Sequence, residues 1–280
     1  MRSIAGVKPD NMVLFPNCKI NLGLKILRRR EDGYHALETV FYPLPVKDVL
    51  EIIPSESPGF SASGLPIPGD PELNLCIKAI HLLKKDFPHL PSVHIYLHKH
   101  IPMGAGLGGG SSDGAAMLQL LNKCFQLEIS QERLLTYAAQ LGSDCPFFIL
   151  NKPCLGEGRG ERLDPLRLDL SSYSFVLVNP GIHIGTAWAF SRITPDAGGK
   201  PVKDIISQPL ESWKTELIND FEAPVFGEYP LLRSIKEDLY AKGALYAALT
   251  GSGSSIFSIF KKGVPASIKF AADLPVIRLT

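Results

Sequence analysis

Two domains of mixed α+β structure are what this sequence predicts, and three observations carry that expectation. The chain has 280 residues, which at roughly 150 residues per domain favours two domains or one large one. Its N-terminal stretch alternates with the period of a strand: Cys18, Ile20, Leu22, Leu24 and Ile26 fall on one face, and Asn17, Lys19, Asn21 and Lys25 on the other. Farther on, short strand-like runs alternate with helical segments, the pattern of an α+β half. The Gly-rich stretch from Gly156 to Gly160 marks the boundary, so the expected domains are 1–155 and 156–280.

The strand period runs from Val13 to Leu27 and predicts a half-buried strand with its polar face in solvent. A turn at Glu31-Asp32-Gly33 leads to Tyr34-His35, the apolar run Val40-Phe41-Tyr42 and then Val49 to Ile53, so the opening sixty residues read as a β-meander. Pro54 to Pro71, rich in Pro, Gly and Ser, reads as a loop. Leu75, Ala79, Leu82 and Leu83 give helical spacing over Leu73 to Phe87, and Val93 to Leu97 returns to strand alternation. A glycine loop then opens into a helix carrying Met117, Leu118, Leu120 and Leu121, with Ser111 and Ser112 as its natural N-caps. A further helix is expected from Ser130 to Leu141, followed by a loop, Gly142 to Pro146, that feeds the apolar Phe147 to Leu150. The C-terminal half shows strands at Phe175 to Val178, Ala247 to Leu249 and Ile256 to Phe260, and helices at Leu210 to Leu217 and Leu231 to Ala241.

Composition limits what such a chain can do. With 45% hydrophobic and 20% charged residues there is enough apolar surface for a core. A formal net charge of +1 lacks the broad attraction that nucleic-acid or acidic-membrane partners require, so neither is expected as a partner. Five scattered cysteines, Cys18, Cys76, Cys124, Cys145 and Cys154, disfavour a disulfide framework and a zinc ribbon and suit a reducing compartment. Met1 to Asn11 has no apolar signal core, and no run reaches the length of a membrane span, so a cytoplasmic location is expected.

The most unusual segment is the run of glycines from Gly104 to Gly110 between a strand and a helix. Glycines there let the backbone take positive φ and approach a ligand, and the N–H groups of the helix start then face an anion, for which phosphate is the natural guest. The run contains G-x-G-x-x-G, yet no ribose-binding acid follows on a parallel strand, no G-K-[ST] closes the loop, and the protein-kinase lysine, H-R-D and D-F-G set is absent.

Pro102-Met103-Gly104-Ala105-Gly106-Leu107-Gly108-Gly109-Gly110-Ser111-Ser112-Asp113 resembles the phosphate-binding motif of the GHMP kinases. Lys19-Ile20-Asn21-Leu22-Gly23-Leu24, the string from Arg30 to Phe41 that contains Gly33-Tyr34-His35, the segment Leu141 to Phe148, and Leu249 to Phe257 are similar to further motifs of one branch of that family, in the family's order over Pro16 to Phe260. The resemblance implies an N-terminal β-meander/α nucleotide-binding domain and a C-terminal α+β domain with an antiparallel sheet. It also implies ATP, with Mg2+ expected to screen its charge, and phosphoryl transfer to a small-molecule acceptor, a cytidine diphosphate-linked methylerythritol of non-mevalonate isoprenoid synthesis. Two alternatives stay open: a GHMP-type kinase for another small alcohol, of homoserine or mevalonate type, and a non-catalytic nucleotide-binding regulator.

Residue by residue, the resemblance makes Asp144 the group that accepts or orients the hydroxyl proton and Lys19 the cation that supports it. ATP's phosphates are expected along Pro102, Met103, Gly104, Ala105, Gly106, Leu107, Gly108, Gly109, Gly110, Ser111 and Ser112, with Asn74 and Lys99 at the adenine. Asn21, Tyr34, His35, Thr186 and Phe190 are expected at the acceptor, Tyr34-His35 as the cytosine element. Gly251, Ser252 and Gly253 are expected to support the glycine loop. The magnesium ligand stays open: Asp113 suits it by position, and equally suits a helix start. The chain departs from the family's common residues at Asn17, Cys18 and Gly114, and Cys18 is expected to make the site sensitive to thiol reagents. His94, His98 and His100 share one strand face, but no carboxylate or cysteine joins them at a useful spacing, and they read, like Lys25 to Arg30, as solvated surface.

Overall fold

The computed structural model describes residues 12–263 and 274–279. Its strands are β1 (Val13–Leu14), β2 (Asn17–Arg29), β3 (His35–Lys47), β4 (Val49–Pro54), β5 (Gly59–Gly64), β6 (Val93–Lys99), β7 (Cys154–Gly158), β8 (Arg162–Pro165), β9 (Tyr173–Val178), β10 (Tyr246–Leu249), β11 (Ile256–Lys261) and β12 (Val276–Leu279). Its helices are α1 (Leu75–Asp86), α2 (Gly109–Cys124), α3 (Gln131–Leu141), α4 (Cys145–Leu150), α5 (Thr186–Ser191), α6 (Val202–Ile206), α7 (Leu210–Glu216), α8 (Glu222–Glu228) and α9 (Pro230–Ala241). The chain forms two compact units. One holds the described residues up to Cys18 with Val46–Met103 and Gly109–Leu150, and the other holds Lys19–Pro45, Gly104–Gly108 and the described residues from Asn151 on. Among the described residues no helix is long and apolar enough to cross a membrane.

In the first unit a four-stranded sheet runs in the order β1-β4-β6-β5. Leu50 and Ile52 of β4 stand opposite Leu97 and Ile95 of the antiparallel β6. The Pro54 to Pro71 stretch, expected as loop, contains β5, which pairs with β6 in parallel. Phe60 is its one large apolar side chain, so the strand had no alternation to show, and α1 supplies the crossover that a parallel pair needs. Asn74 caps α1 through Oδ1, which accepts from Cys76 N at 2.9 Å, and Ser130 caps α3 by accepting from Arg133 N at 3.3 Å.

Helix α2 is buried nearly all round, as a helix packed among α1, α3 and α4 must be. It begins at Gly109, so Ser111 and Ser112 lie inside its first turn and are not N-caps. The backbone enters the helix straight from Gly108, at φ 71°, with no side-chain cap in between. Gly114, the departure inside this helix, is explained by packing: a Cβ there would lie 2.7 Å from Leu75 Cβ of α1.

The second unit contains two sheets, β2-β3-β7-β8 and β10-β11-β9-β12, and the second is antiparallel throughout. The opening strands therefore do not form one meander, because β3 turns to β7 while β4 joins the first unit's sheet. Gly156 and Gly158 lie within β7, opposite Thr39 and Leu37. One apolar core joins Leu24 and Ile26 of β2 to Val178, Leu249, Ile256 and Phe260 and to Leu232, Ile235 and Leu239 of α9, each large side chain contributing about 1.5–3 kcal/mol by burial. The other face of β2 is not in solvent: Asn17, Lys19 and Asn21 are buried as well. Cys18 is also wholly buried, and all five cysteines are buried, so no thiol is exposed for reagents.

Candidate active site

The glycine loop is shaped by alternation. Gly104, Gly106 and Gly108 hold φ of 65°, 76° and 71°, while Ala105 and Leu107 between them turn inward and are buried. The protein holds the loop by its carbonyls: Ser255 N donates to Ala105 O at 3.2 Å, and Lys19 N donates to Leu107 O at 3.0 Å. Thr250 Oγ1 lies 3.1 Å from Gly106 O. At Gly106 glycine is required twice over, since a Cβ would stand 1.9 Å from Thr250 O. Such a backbone turns successive N–H groups toward one side, and it runs directly into the first turn of α2, where four N–H groups lack helical partners. The Met103 methyl stands 3.4 Å from the Cβ position of Gly110.

Lys19 lies buried on β2, donating from Nζ to Asn21 Oδ1 at 2.6 Å, with Nζ 5.3 Å from the centre of the Phe41 ring. Asn21 is held in turn: Nδ2 donates to Thr39 Oγ1 at 3.1 Å and its backbone N to Thr250 Oγ1 at 3.1 Å. Thr250 thus ties Asn21 to the glycine loop. Asn219 Nδ2 donates to Leu249 O at 2.8 Å and Gly251 O at 2.9 Å, fixing the Gly251-Ser252-Gly253 turn, and Thr186 Oγ1 lies 3.4 Å from Ser252 Oγ.

His35 and Phe190, far apart in sequence, are stacked at 5.0 Å, and Phe190 meets Phe221 edge-on at 4.9 Å. Burial, with the charge of Arg29, holds the imidazole below its ordinary pKa, so His35 is neutral at neutral pH. Tyr34 is 57% exposed, with the Arg159 guanidinium 4.9 Å from its ring centre. Asp144, in the first unit, is half-buried and directly precedes α4, whose first amide, Cys145 N, donates to Gly142 O at 3.2 Å.

Lys99 is placed differently from the expectation. Its side chain is inaccessible, its Nζ contacting Asp48 Oδ2 and standing 2.7 Å from Asp113 Oδ2. Burial works against the charge, but the two carboxylates prevail and the ammonium is held above its ordinary pKa. The ammonium cannot reach a base without breaking both pairs. The same pairing engages Asp113 through its Oδ2. The Oδ1 of Asn74 is engaged as a helix cap, so any contact with a base falls to its Nδ2.

Sequence reasoning missed Thr250, Asn219, Asp48 and His183, whose Nδ1 lies 3.3 Å from the Cβ position of Gly104. Thr250 alone carried a signal, standing directly before the Gly251-Ser252-Gly253 turn. The basic run is engaged locally, Lys25 Nζ donating to Gly198 O and Lys200 O and Arg30 pairing with Asp32. His94 and His98 bond to Ser61 and Ser63, and His98 to His100. Among the described residues no group of three or more His, Cys, Asp or Glu could hold a metal ion.

A glycine loop with alternating positive φ, pinned by the Gly251-Ser252-Gly253 turn, stands in a chain that two family models match: the GHMP kinases N terminal domain over residues 74–152 and the GHMP kinases C terminal domain over 203–272. The chain belongs to the GHMP kinase family. It is 53% identical over 253 residues to a 4-diphosphocytidyl-2-C-methyl-D-erythritol kinase of Bacteroides fragilis, covering 89% of this chain and 92% of that protein. With the enzyme of the same name from Cytophaga hutchinsonii it shares 49% identity over 89% of this chain and 92% of that one. A crystal structure of a 4-(cytidine 5'-diphospho)-2C-methyl-D-erythritol kinase superposes with a TM-score of 0.76 at 33% identity, covering 89% of this chain and 90% of that chain. The mevalonate kinase of Methanococcus jannaschii, at 11% identity and a TM-score of 0.70, shares the fold.

Proposed function

We propose that this chain is an ATP-dependent kinase that phosphorylates the 2-hydroxyl of 4-diphosphocytidyl-2-C-methyl-D-erythritol in non-mevalonate isoprenoid precursor synthesis. The observation that carries the reading is the run of positive-φ glycines, Gly104, Gly106 and Gly108, feeding the N-terminus of a 16-residue helix. The relatives that bear the name of this activity favour the cytidylyl acceptor over homoserine or mevalonate.

In this reading Gly104 to Ser112 cradle the triphosphate, and Asn74 Nδ2 faces the adenine. The carboxylate of Asp144 takes the proton of the acceptor hydroxyl as its oxygen bonds to the γ-phosphorus and the bond from that phosphorus to the bridging oxygen breaks, releasing ADP. Lys19, held in place by Asn21, supplies positive charge where negative charge develops. His35 and Phe190 offer ring surfaces to the cytosine, with Tyr34 and Thr186 completing the acceptor site. Magnesium screens the phosphate charge when bound. Such an ion is generally held by one or two carboxylates together with the phosphate oxygens themselves.

We place the division between an ATP-binding domain, 1–155, and a C-terminal domain, 156–280, in the gap between the two family matches. Five scattered, buried cysteines support a cytoplasmic location, and the near-neutral charge supports a small-molecule partner over nucleic acid. The test is ADP production from MgATP with the cytidylyl substrate, run beside homoserine and mevalonate. Turnover confined to the cytidylyl substrate supports the proposal; turnover on another acceptor keeps the family chemistry and discards this substrate.

A further inference from the structure

Asp48, Lys99 and Asp113 have no part in the reaction just described, yet they are buried together beneath the residue where α2 begins. A Cβ on Gly109 would stand 3.3 Å from Lys99 Nζ, so the ammonium is packed against the first helical residue. Asp48 is fully satisfied: His100 N and Ile101 N donate to Oδ1 at 2.6 and 2.9 Å, and Lys99 takes Oδ2. Asp113 is not, for its Oδ1 is buried without a hydrogen-bond partner. When both carboxylates are ionised, one ammonium leaves one negative charge uncompensated under a helix end that attracts anions.

Among the described residues, Lys99 is the one cation paired with Asp113. From α1 and α4 the nearby titratable groups are the thiols of Cys76 and Cys145, which burial pushes up, Cys145 to about 12. Helix α3 buries Leu134, Tyr137 and Ala138, with the Tyr137 hydroxyl donating to Asp86, and β1 offers Val13 and Leu14. We propose that Asp113 is a positioning residue for the nucleotide phosphates, and that an anion bound at the start of α2 draws a proton from solvent onto Asp113 Oδ1. The O–H bond forms on the oxygen that lacks a partner. It leaves Lys99 and Asp48 as a balanced pair, and the bound phosphates then face a neutral floor.

Burial raises the Asp113 carboxyl, Lys99 lowers it and Asp48 raises it again, to about 7. The bound state therefore differs from the free state in proton content near neutral pH. This inference rests on the glycine loop's being the ATP phosphate site.

The test is calorimetric titration of MgATP at pH 7 in two buffers of different ionisation enthalpy, on the wild-type chain and on Asp113→Asn. Uptake of up to about half a proton by the wild type, lost in the variant, is expected. Binding with no uptake, or with uptake unchanged in Asp113→Asn, overturns the proposal while leaving the nucleotide site intact; the second result would assign the proton to another group. Absence of MgATP binding overturns the phosphate-site reading and this inference together. Should Asp113→Asn fail to fold, the wild type decides. It is expected to bind MgATP roughly three- to tenfold more weakly as pH rises through 7 toward 8.5, a tenfold change answering to one pKa unit. A flat profile overturns the proposal.

Discussion

The ring of Phe190 lies over that of His35, centroids 5.0 Å apart and planes 17° from parallel. Neither residue is near the other in sequence, and the α5 helix that carries Phe190 also carries Thr186 at its first position. The stack brings two of the expected acceptor residues into one aromatic surface, with an imidazole held neutral by burial.

His35→Ala removes half of that surface and nothing from the glycine loop. The KM for the cytidylyl acceptor is expected to rise roughly tenfold, about 1.4 kcal/mol of binding, with the KM for ATP within about twofold of wild type. Steady-state kinetics with each substrate varied in turn checks this, and equal rises for both substrates would remove His35 from the acceptor site.

Gly114→Ala sets helix propensity against packing. Alanine is favoured inside a helix by about 1 kcal/mol, but its Cβ would stand 2.7 Å from Leu75 Cβ, an atom that moves only with the backbone of α1. Overpacking of that kind costs about 1–3 kcal/mol, so a lower Tm is expected, by calorimetry or circular dichroism. A higher Tm would mean that α1 and α2 can separate at no cost.

The glycine loop could be read from the sequence because its geometry demands the residue: a Cβ at Gly106 would collide with Thr250 O. Strand β5 could not, because Gly59 to Gly64 carries one large apolar side chain and its pairing comes from β6, thirty-odd residues on. The period of β2 was legible but its burial was not. Alternation tells which residues share a face, and only the fold shows that the polar face is covered by Thr39 and Thr250. The ion pairs of Lys99 were not legible either. Its partners lie 51 and 14 residues away, and no local pattern announces that they close around one ammonium.

Asp144→Asn keeps the shape of the side chain and removes its basicity. A loss of roughly 10²–10⁴ in kcat is expected, with MgATP affinity measured by calorimetry nearly unchanged. Retained turnover would show that the residue orients the hydroxyl without taking its proton.

Asp113→Asn also tests the buried cluster through stability. The carboxyl is raised in the folded chain to about 7 from an ordinary value of 3.8, with burial as the main cause, so between those values the native state binds more proton than the unfolded one. The stability associated with the protonated group is fully present below pH 3.8, declines as pH rises and is lost once pH passes about 7. An amide at this position has no proton to lose and escapes that decline. The Tm of Asp113→Asn minus that of wild type is therefore expected to become more positive from pH 5 to pH 8, and the subtraction removes titrations common to both chains. A difference that stays constant over this range would mean that Asp113 is ionised throughout, with Lys99 alone compensating two carboxylates.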